Sequence, residues 1–358
     1  MVSAQMKSGL LMGFGSFMVV SGAVAAVFWP SMFFAQLRRM MILSPTSTSF
    51  GIWREVPIPM YLECFMFNIT NVEDIVAGKN VPVQVEQLGP YVYREFHIKE
   101  NITWNDNNTV TFYNKRTWVF QPEMSNGSLS DGITSINPIV AAHRWHFDAY
   151  MVLPDSGPVR VQGIDGVEYA ANDSLFDNGH NYPNKECYCD VVRDDDCLPP
   201  GALNVSACRY GAPAFVSQPH FYNMHPHYPA KIRGLKPTDD MNFKLSLEMY
   251  TGMPLQVSAQ LQINLLVRHV GGMAINNQFA DPDVLVPMFW FRQEVIMDDH
   301  FSRLARFALN LRSGMPYGFY AFTVIGIVLL IAGIAILIRK LLRSPEEPIL
   351  TNQPDDIQ

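Results

Sequence analysis

Residues 8–37, between Lys7 and Arg38, carry no charge, and neither do residues 313–338, between Arg312 and Arg339. A helix needs roughly 20 apolar residues to cross the hydrocarbon core of a bilayer. Both stretches exceed that length, and the second is a dense run of Ile, Leu, Val, Ala and Gly. They predict two transmembrane helices, at 8–32 and 316–338, separated by one large loop. The first run has a rival reading, because Lys7, the apolar stretch and Ala23-Val24-Ala25 resemble a signal peptide with a small-residue cleavage site. The run continues, however, through Val27, Phe28, Trp29, Met32 and Phe34. A signal core is usually about 7–15 residues long, so an uncleaved span fits better. Charged residues make up 16% of the chain, against about 25% in soluble domains, which agrees with lipid contact.

Sequons give the sides. Asn68, Asn101, Asn107, Asn126, Asn172 and Asn204 each begin an Asn-x-Ser/Thr triplet, and all lie between the two spans. One such triplet is weak, but six in one loop read as a glycosylated ectodomain over residues 33–315. Residues 1–7 and 339–358 are then cytosolic. These tails carry Lys7, Arg339, Lys340 and Arg343 against Glu346, Glu347, Asp355 and Asp356, so the net charge of −7 falls on the loop. Asp and Glu number 33 against 26 Lys and Arg, which speaks against a nucleic-acid partner.

Of five cysteines, Cys187, Cys189, Cys197 and Cys208 cluster in a segment rich in Pro and Asp. In an oxidising compartment such a cluster reads as disulfides, and it lacks the Cys-x-x-Cys pairs of a zinc knuckle. The odd count leaves a free thiol, and Cys64, in the apolar run 62–67, is its natural bearer.

Period-two alternation is strongest in Leu255-Gln-Val-Ser-Ala-Gln-Leu-Gln-Ile-Asn-Leu265. It predicts a half-buried strand with one dry and one wet face. Leu255, Val257, Ala259, Leu261, Ile263 and Leu265 form the apolar face and are candidates for lining a lipid cavity. Residues 243–249 alternate likewise, and Thr251-Gly-Met-Pro254 separates the two runs as a hairpin turn. Further strands are expected at 83–86, 91–96, 109–113 and 159–162, and an amphipathic helix over 297–312 running into the second span. Nucleophile-elbow, metalloprotease and phosphate-loop motifs are missing from the sequence, so no enzyme activity and no cofactor is expected. The run Pro219-His-Phe-Tyr-Asn-Met-His-Pro-His-Tyr228 reads as a loop of packed aromatics and imidazoles rather than a metal site.

The motifs fall in a specific order. Phe50-Gly-Ile-Trp53-Arg-Glu-Val-Pro57 is followed by Glu86-Gln-Leu-Gly-Pro-Tyr-Val-Tyr93, Asn101-Ile-Thr-Trp104, Phe120-Gln-Pro122 and Ser128-Leu-Ser-Asp131. Later come Cys187-Tyr-Cys189, Ser217-Gln-Pro-His-Phe221, Thr251-Gly-Met-Pro254 and Val286-Pro-Met-Phe-Trp290. This series resembles the class B scavenger receptors over nearly the whole chain. The resemblance implies a membrane protein with two transmembrane helices and an α+β ectodomain. Its core would be an antiparallel β-barrel-like sheet with short helices and an apical helical cap. It implies a tunnel carrying fatty acids or sterols toward the bilayer, with lipoproteins, apoptotic cells and microbes as further ligands. A plasma-membrane receptor with both termini cytosolic is the favoured reading. A lysosomal sorting protein is the alternative, because Glu346-Glu-Pro-Ile-Leu350 nearly matches an acidic dileucine signal. A two-span ion channel subunit is remote, since Thr323 is the one polar side chain of the second span away from its edge tyrosines.

The chain also departs from the family. After Asn137-Pro138 the resemblance implies a long segment holding the cap, much of the tunnel wall and a basic patch. Here His143-Arg-Trp-His146 and Gly163-Ile-Asp-Gly-Val-Glu-Tyr169 follow almost at once. The cap is therefore expected to be largely missing, and a shortened form without ligand transfer is a further alternative. In the family pattern Cys189 pairs with Cys197, while the partners of Cys187 and Cys208 lie in the missing part. Cys187 and Cys208 are expected to pair with each other. Gly9 and Gly13, and Gly22 and Ala26, stand four apart, a spacing that lets helix backbones approach. A homo-oligomer through the first span is therefore an expected partner state.

Overall fold

A chain segment in hydrocarbon must satisfy its own backbone hydrogen bonds, which a helix does internally. In the computed structural model, residues 4–136, 153–189, 191–193, 196–206, 212–269, 276–281 and 283–343 are described. The first apolar run is helix α1 (Ala4–Met41), followed by the short α2 (Thr48–Arg54). Strand β1 (Met60–Ile69), helix α3 (Val72–Val76) and strands β2 (Val83–Trp104) and β3 (Val110–Phe120) come next. Then follow β4 (Asp155–Val161), β5 (Ile164–Ala170), β6 (Val191–Arg193), β7 (Asp196–Cys197), β8 (Leu203–Asn204) and β9 (Ala214–Ser217). The chain continues through β10 (Ile232–Arg233), β11 (Lys244–Glu248), β12 (Pro254–Arg268) and β13 (Asp283–Ile296) into helix α4 (Asp299–Arg343). The amphipathic segment and the second apolar run are thus one helix. Both α1 and α4 are long and apolar enough to cross a membrane.

Two compact units result, one from residues 1–50 with 303–358 and one from residues 51–302. In the helical unit α1 and α4 run antiparallel. Glycine permits the closest approach: a Cβ on Gly15 would lie 2.8 Å from the Gly326 carbonyl oxygen, and one on Gly22 would lie 3.0 Å from that of Phe319. Ser8 Oγ donates to the Gly333 carbonyl at 2.9 Å, and the rings of Trp29 and Phe319 lie 5.7 Å apart. Gly22 therefore meets the other span as its spacing suggested, and Ala26 is buried. Gly9 and Gly13 do not meet it, because a Cβ there would find open space; Gly15 takes that role.

In the second unit the sheet runs β10-β2-β1-β13-β12-β11-β5-β4, with β3 on β2 and β9 on β12. All these pairs are antiparallel except β10 with β2. Phe65, Phe67, Val83, Val85, Phe221, Val286 and Trp290 are buried in its main core, where the Phe65 and Trp290 rings stack at 4.0 Å.

Strand β12 corrects the sequence reading of wet and dry faces. Its polar residues are the enclosed ones: Gln260, Gln262 and Asn264 are 1%, 0% and 0% exposed. Val257, Ala259, Leu261 and Ile263 are only half-buried. Residues 215–220 and 240–242 cover the polar face and supply most of its hydrogen bonds, although Gln260 Oε1 is left without a partner among the described residues. Gln260 Nε2 donates to the Asp240 carbonyl at 2.5 Å, and Asn264 Nδ2 donates to Ser217 Oγ at 2.9 Å. Gln262 Oε1 accepts the His220 backbone N–H at 2.7 Å. Alternation shows that two faces differ; hydrogen-bonding loops can make the polar one the interior.

Candidate functional site

Residues directly opposite each other in an antiparallel ladder share a face. Register therefore builds the half-buried face of β12 into rows that cross the sheet. Leu261 stands opposite Phe291, which stands opposite Cys64. Ile263, Phe289 and Met66 make the next row, and Ala259, Gln293 and Leu62 the one before, continuing to Tyr93 and Phe120. Leu245 and Tyr169 extend the face from Val257 across β11 and β5. Every residue of these rows is half-buried. Full burial of a large apolar side chain is worth about 1.5–3 kcal/mol, so a continuous, incompletely covered apolar face is a surface that a ligand or partner would stabilise.

At the β1–β2 end the face deepens into an open cavity of about 390 Å³. Leu62, Cys64, Met66 and Tyr93 form its floor, with Tyr91 beside them, and Trp118, Leu129 and Ile133 form its walls. The wall loop is pinned at both ends: Asn126 N–H donates to the Pro90 carbonyl at 3.0 Å, and Thr134 N–H donates to Asn68 Oδ1 at 2.8 Å. Across the loop, Asp131 Oδ2 accepts from the Tyr91 hydroxyl and from the Ser128 N–H, both at 2.9 Å. Burial, with the adjacent Asp131 carboxylate, pushes the Tyr91 phenol up to about 12. Burial also raises the Cys64 thiol, which is free and keeps its proton as a small apolar lining group. Volume and composition suit an apolar ligand of modest size.

Of the six cavity candidates on β12, Val257, Ala259, Leu261 and Ile263 lie on this face. Leu255 (1% exposed) and Leu265 (6%) are buried, the latter packing with Ala214 and Met288. Leu62, Met66, Phe289, Phe291 and the Leu129–Ile133 wall were not singled out by sequence. The run 62–67 is apolar at most positions, so its pattern does not say which side is the core. The structure joins Cys189 and Cys197 in a disulfide, Cα–Cα 5.3 Å. Cys208 and the Cys187 side chain, and with them the expected Cys187–Cys208 pair, lie outside the described residues, as does the tail motif at 346–350. Asn101, Asn107 and Asn126 are exposed; Asn68, Asn172 and Asn204 are half-buried. Among the described residues no three His, Cys, Asp or Glu side chains converge as metal ligands.

The sequence model of the CD36 family matches residues 13–156 and 149–337. The chain belongs to the CD36 family. Its relatives include scavenger receptor class B member 1 from Bos taurus, 26% identical over 91% of this chain and 88% of that one. Protein peste from Drosophila melanogaster is 23% identical over 79% of this chain and 74% of its own. Human lysosome membrane protein 2 is 22% identical over 78% and 84%. The bovine alignment runs to 461 positions against the 358 residues here, so that relative has residues without a counterpart in this chain. The two stretches matched to the family overlap at 149–156, beyond Asn137-Pro138, after which the motif order departs from the family. With its two long apolar helices and its antiparallel sheet, this CD36-family chain is a membrane protein of the class B scavenger receptor type.

Proposed function

We propose that this CD36-family protein is a cell-surface receptor that takes fatty acids, sterols or similar lipids onto the apolar sheet face and passes them to the bilayer. The observation that carries the reading is the row Leu261–Phe291–Cys64 and its neighbours, which keep a continuous apolar face half open beside a 390 Å³ cavity. The sequon pattern supports a glycosylated outer loop with both termini cytosolic. The outward Gly9 and Gly13 leave a face of α1 for a second copy of the chain. The ectodomain carries the chain's net negative charge, which favours neutral lipids over anionic lipoprotein particles. The test is equilibrium binding of a fluorescent lipid to the full chain in detergent, with Met66→Trp filling the cavity. Binding that Met66→Trp weakens supports the proposal; equal binding by both, or none by either, refutes it.

A further inference from the structure

Among the described residues, the cavity lining is apolar or phenolic except at one place, where Ser128 and Asp131 stand together, and Asp131 is the one charged residue of that lining. Oδ2 of Asp131 is occupied by the Tyr91 hydroxyl and the Ser128 N–H. Oδ1 accepts from no donor among the described residues. The cations of the adjoining strands are turned elsewhere: Arg292 pairs with Glu63 at 2.6 Å, and Arg94 lies over the Phe96 ring at 4.9 Å. Among the described residues, nothing in the lining would therefore neutralise an anionic head group, while Asp131 offers an acceptor to a donor.

From this we infer that the cavity sorts lipids by head group. It takes an uncharged apolar body ending in a hydroxyl, which donates to Asp131, and rejects the carboxylate of a free fatty acid. A carboxylate placed there would give up water with no counter-charge among the described lining residues and would meet the like charge of Asp131. A hydroxyl trades its water for a charge-assisted hydrogen bond. The Tyr91–Asp131 bond sets the direction of the selection. Because the phenol donates and Asp131 accepts, the polar end of the cavity presents acceptor character. The inference rests on the lipid-binding reading above and narrows its ligand class.

The test uses the full chain in detergent at neutral pH with four radiolabelled probes: hexadecanol, cholesterol, palmitate and methyl palmitate. At least one of the two alcohols should bind roughly tenfold more tightly than palmitate, and which one does identifies the body that fits. Methyl palmitate, uncharged but without a donor, should also exceed palmitate. Asp131→Asn keeps an oxygen for Tyr91 and Ser128 to donate to and removes the charge, so it should bring palmitate to within roughly twofold of the better alcohol. Palmitate binding as tightly as both alcohols, or no better binding of methyl palmitate than of palmitate, overturns the inference without any variant. An unchanged ratio in Asp131→Asn overturns it as well. Binding without discrimination leaves the lipid-receptor reading standing; failure of all four probes to bind removes both.

Discussion

The indole N–H of Trp29 on α1 donates to the backbone carbonyl of Arg312 on α4 at 3.2 Å. In a regular helix that carbonyl would accept from residue 316, but residue 316 is Pro, which has no N–H. The proline of one helix thus leaves an acceptor that the other helix uses, and the same Trp29 ring packs on Phe319. Interhelical hydrogen bonds in lipid are worth about 0.6 kcal/mol on average and up to about 1.7. Trp29→Phe keeps most of the ring packing and loses the donor. It should lower the stability of the paired spans by about 1 kcal/mol, read as a lower unfolding midpoint in detergent; an unchanged midpoint would show that the bond contributes nothing.

His220 predicts an acid-sensitive ectodomain. It is 3% exposed, its Nδ1 accepts from the Lys236 N–H at 3.0 Å, and its Nε2 donates to Gln87 Oε1 at 2.6 Å. Burial first, and the nearby Lys236 charge second, lower its pKa from 6.5 to about 4. The unfolded chain then takes up a proton near pH 6.5 that the folded one refuses until about pH 4. Stability from this group is fully present above 6.5 and is lost as pH falls across that window, by about 3 kcal/mol in all. Unfolding midpoints measured from pH 7.5 to 4 should fall, and the fall should be shallower in His220→Gln, whatever that variant's starting stability. Parallel profiles for the two would rule His220 out as the cause.

The two faces of β12 should respond in opposite ways to a change of polarity. Gln262→Leu strands the buried His220 N–H and Asn264, a loss of about 2–3 kcal/mol. Val257→Thr, on the half-open face, should cost under about 1 kcal/mol. Denaturant titration of both variants checks the order, and a larger loss for Val257→Thr would mean the face assignment is wrong.

Much of this arrangement is legible in the residues themselves. The two charge-free runs, the hairpin around Thr251-Gly-Met-Pro254 and the motif series from Phe50 to Trp290 point to two membrane helices and, between them in the chain, an antiparallel sheet. Which face of β12 is interior is not legible, because Gln260, Gln262 and Asn264 are paired by loops far away in sequence. The cavity is equally hidden. It forms where β1 and β2 meet a loop some sixty residues further along the chain than Asn68, as the Thr134–Asn68 bond shows. Leu62, Cys64 and Met66 alternate with Glu63, Phe65 and Phe67, and neither set is polar enough to declare itself the outside.

Glycosylation should follow exposure. Asn101, Asn107 and Asn126 are exposed, whereas Asn172 is half-buried; Asn107 and Asn172 both accept from the N–H and hydroxyl two residues on, so exposure alone separates them. Replacing any of the first three by Gln should remove one glycan's worth of mass from the protein expressed in secretory membranes, and glycosidase should remove the rest. No shift for any of them would place the loop on the cytosolic side.

The most direct test of the central claim is photo-crosslinking of a diazirine-bearing lipid to the full chain in membranes, with adducts mapped by peptide sequencing. If the open sheet face holds lipid, adducts appear on β1, β12 and β13, at Leu62, Met66, Leu261 or Phe291, in addition to α1 and α4. Adducts confined to the two helices would contradict it.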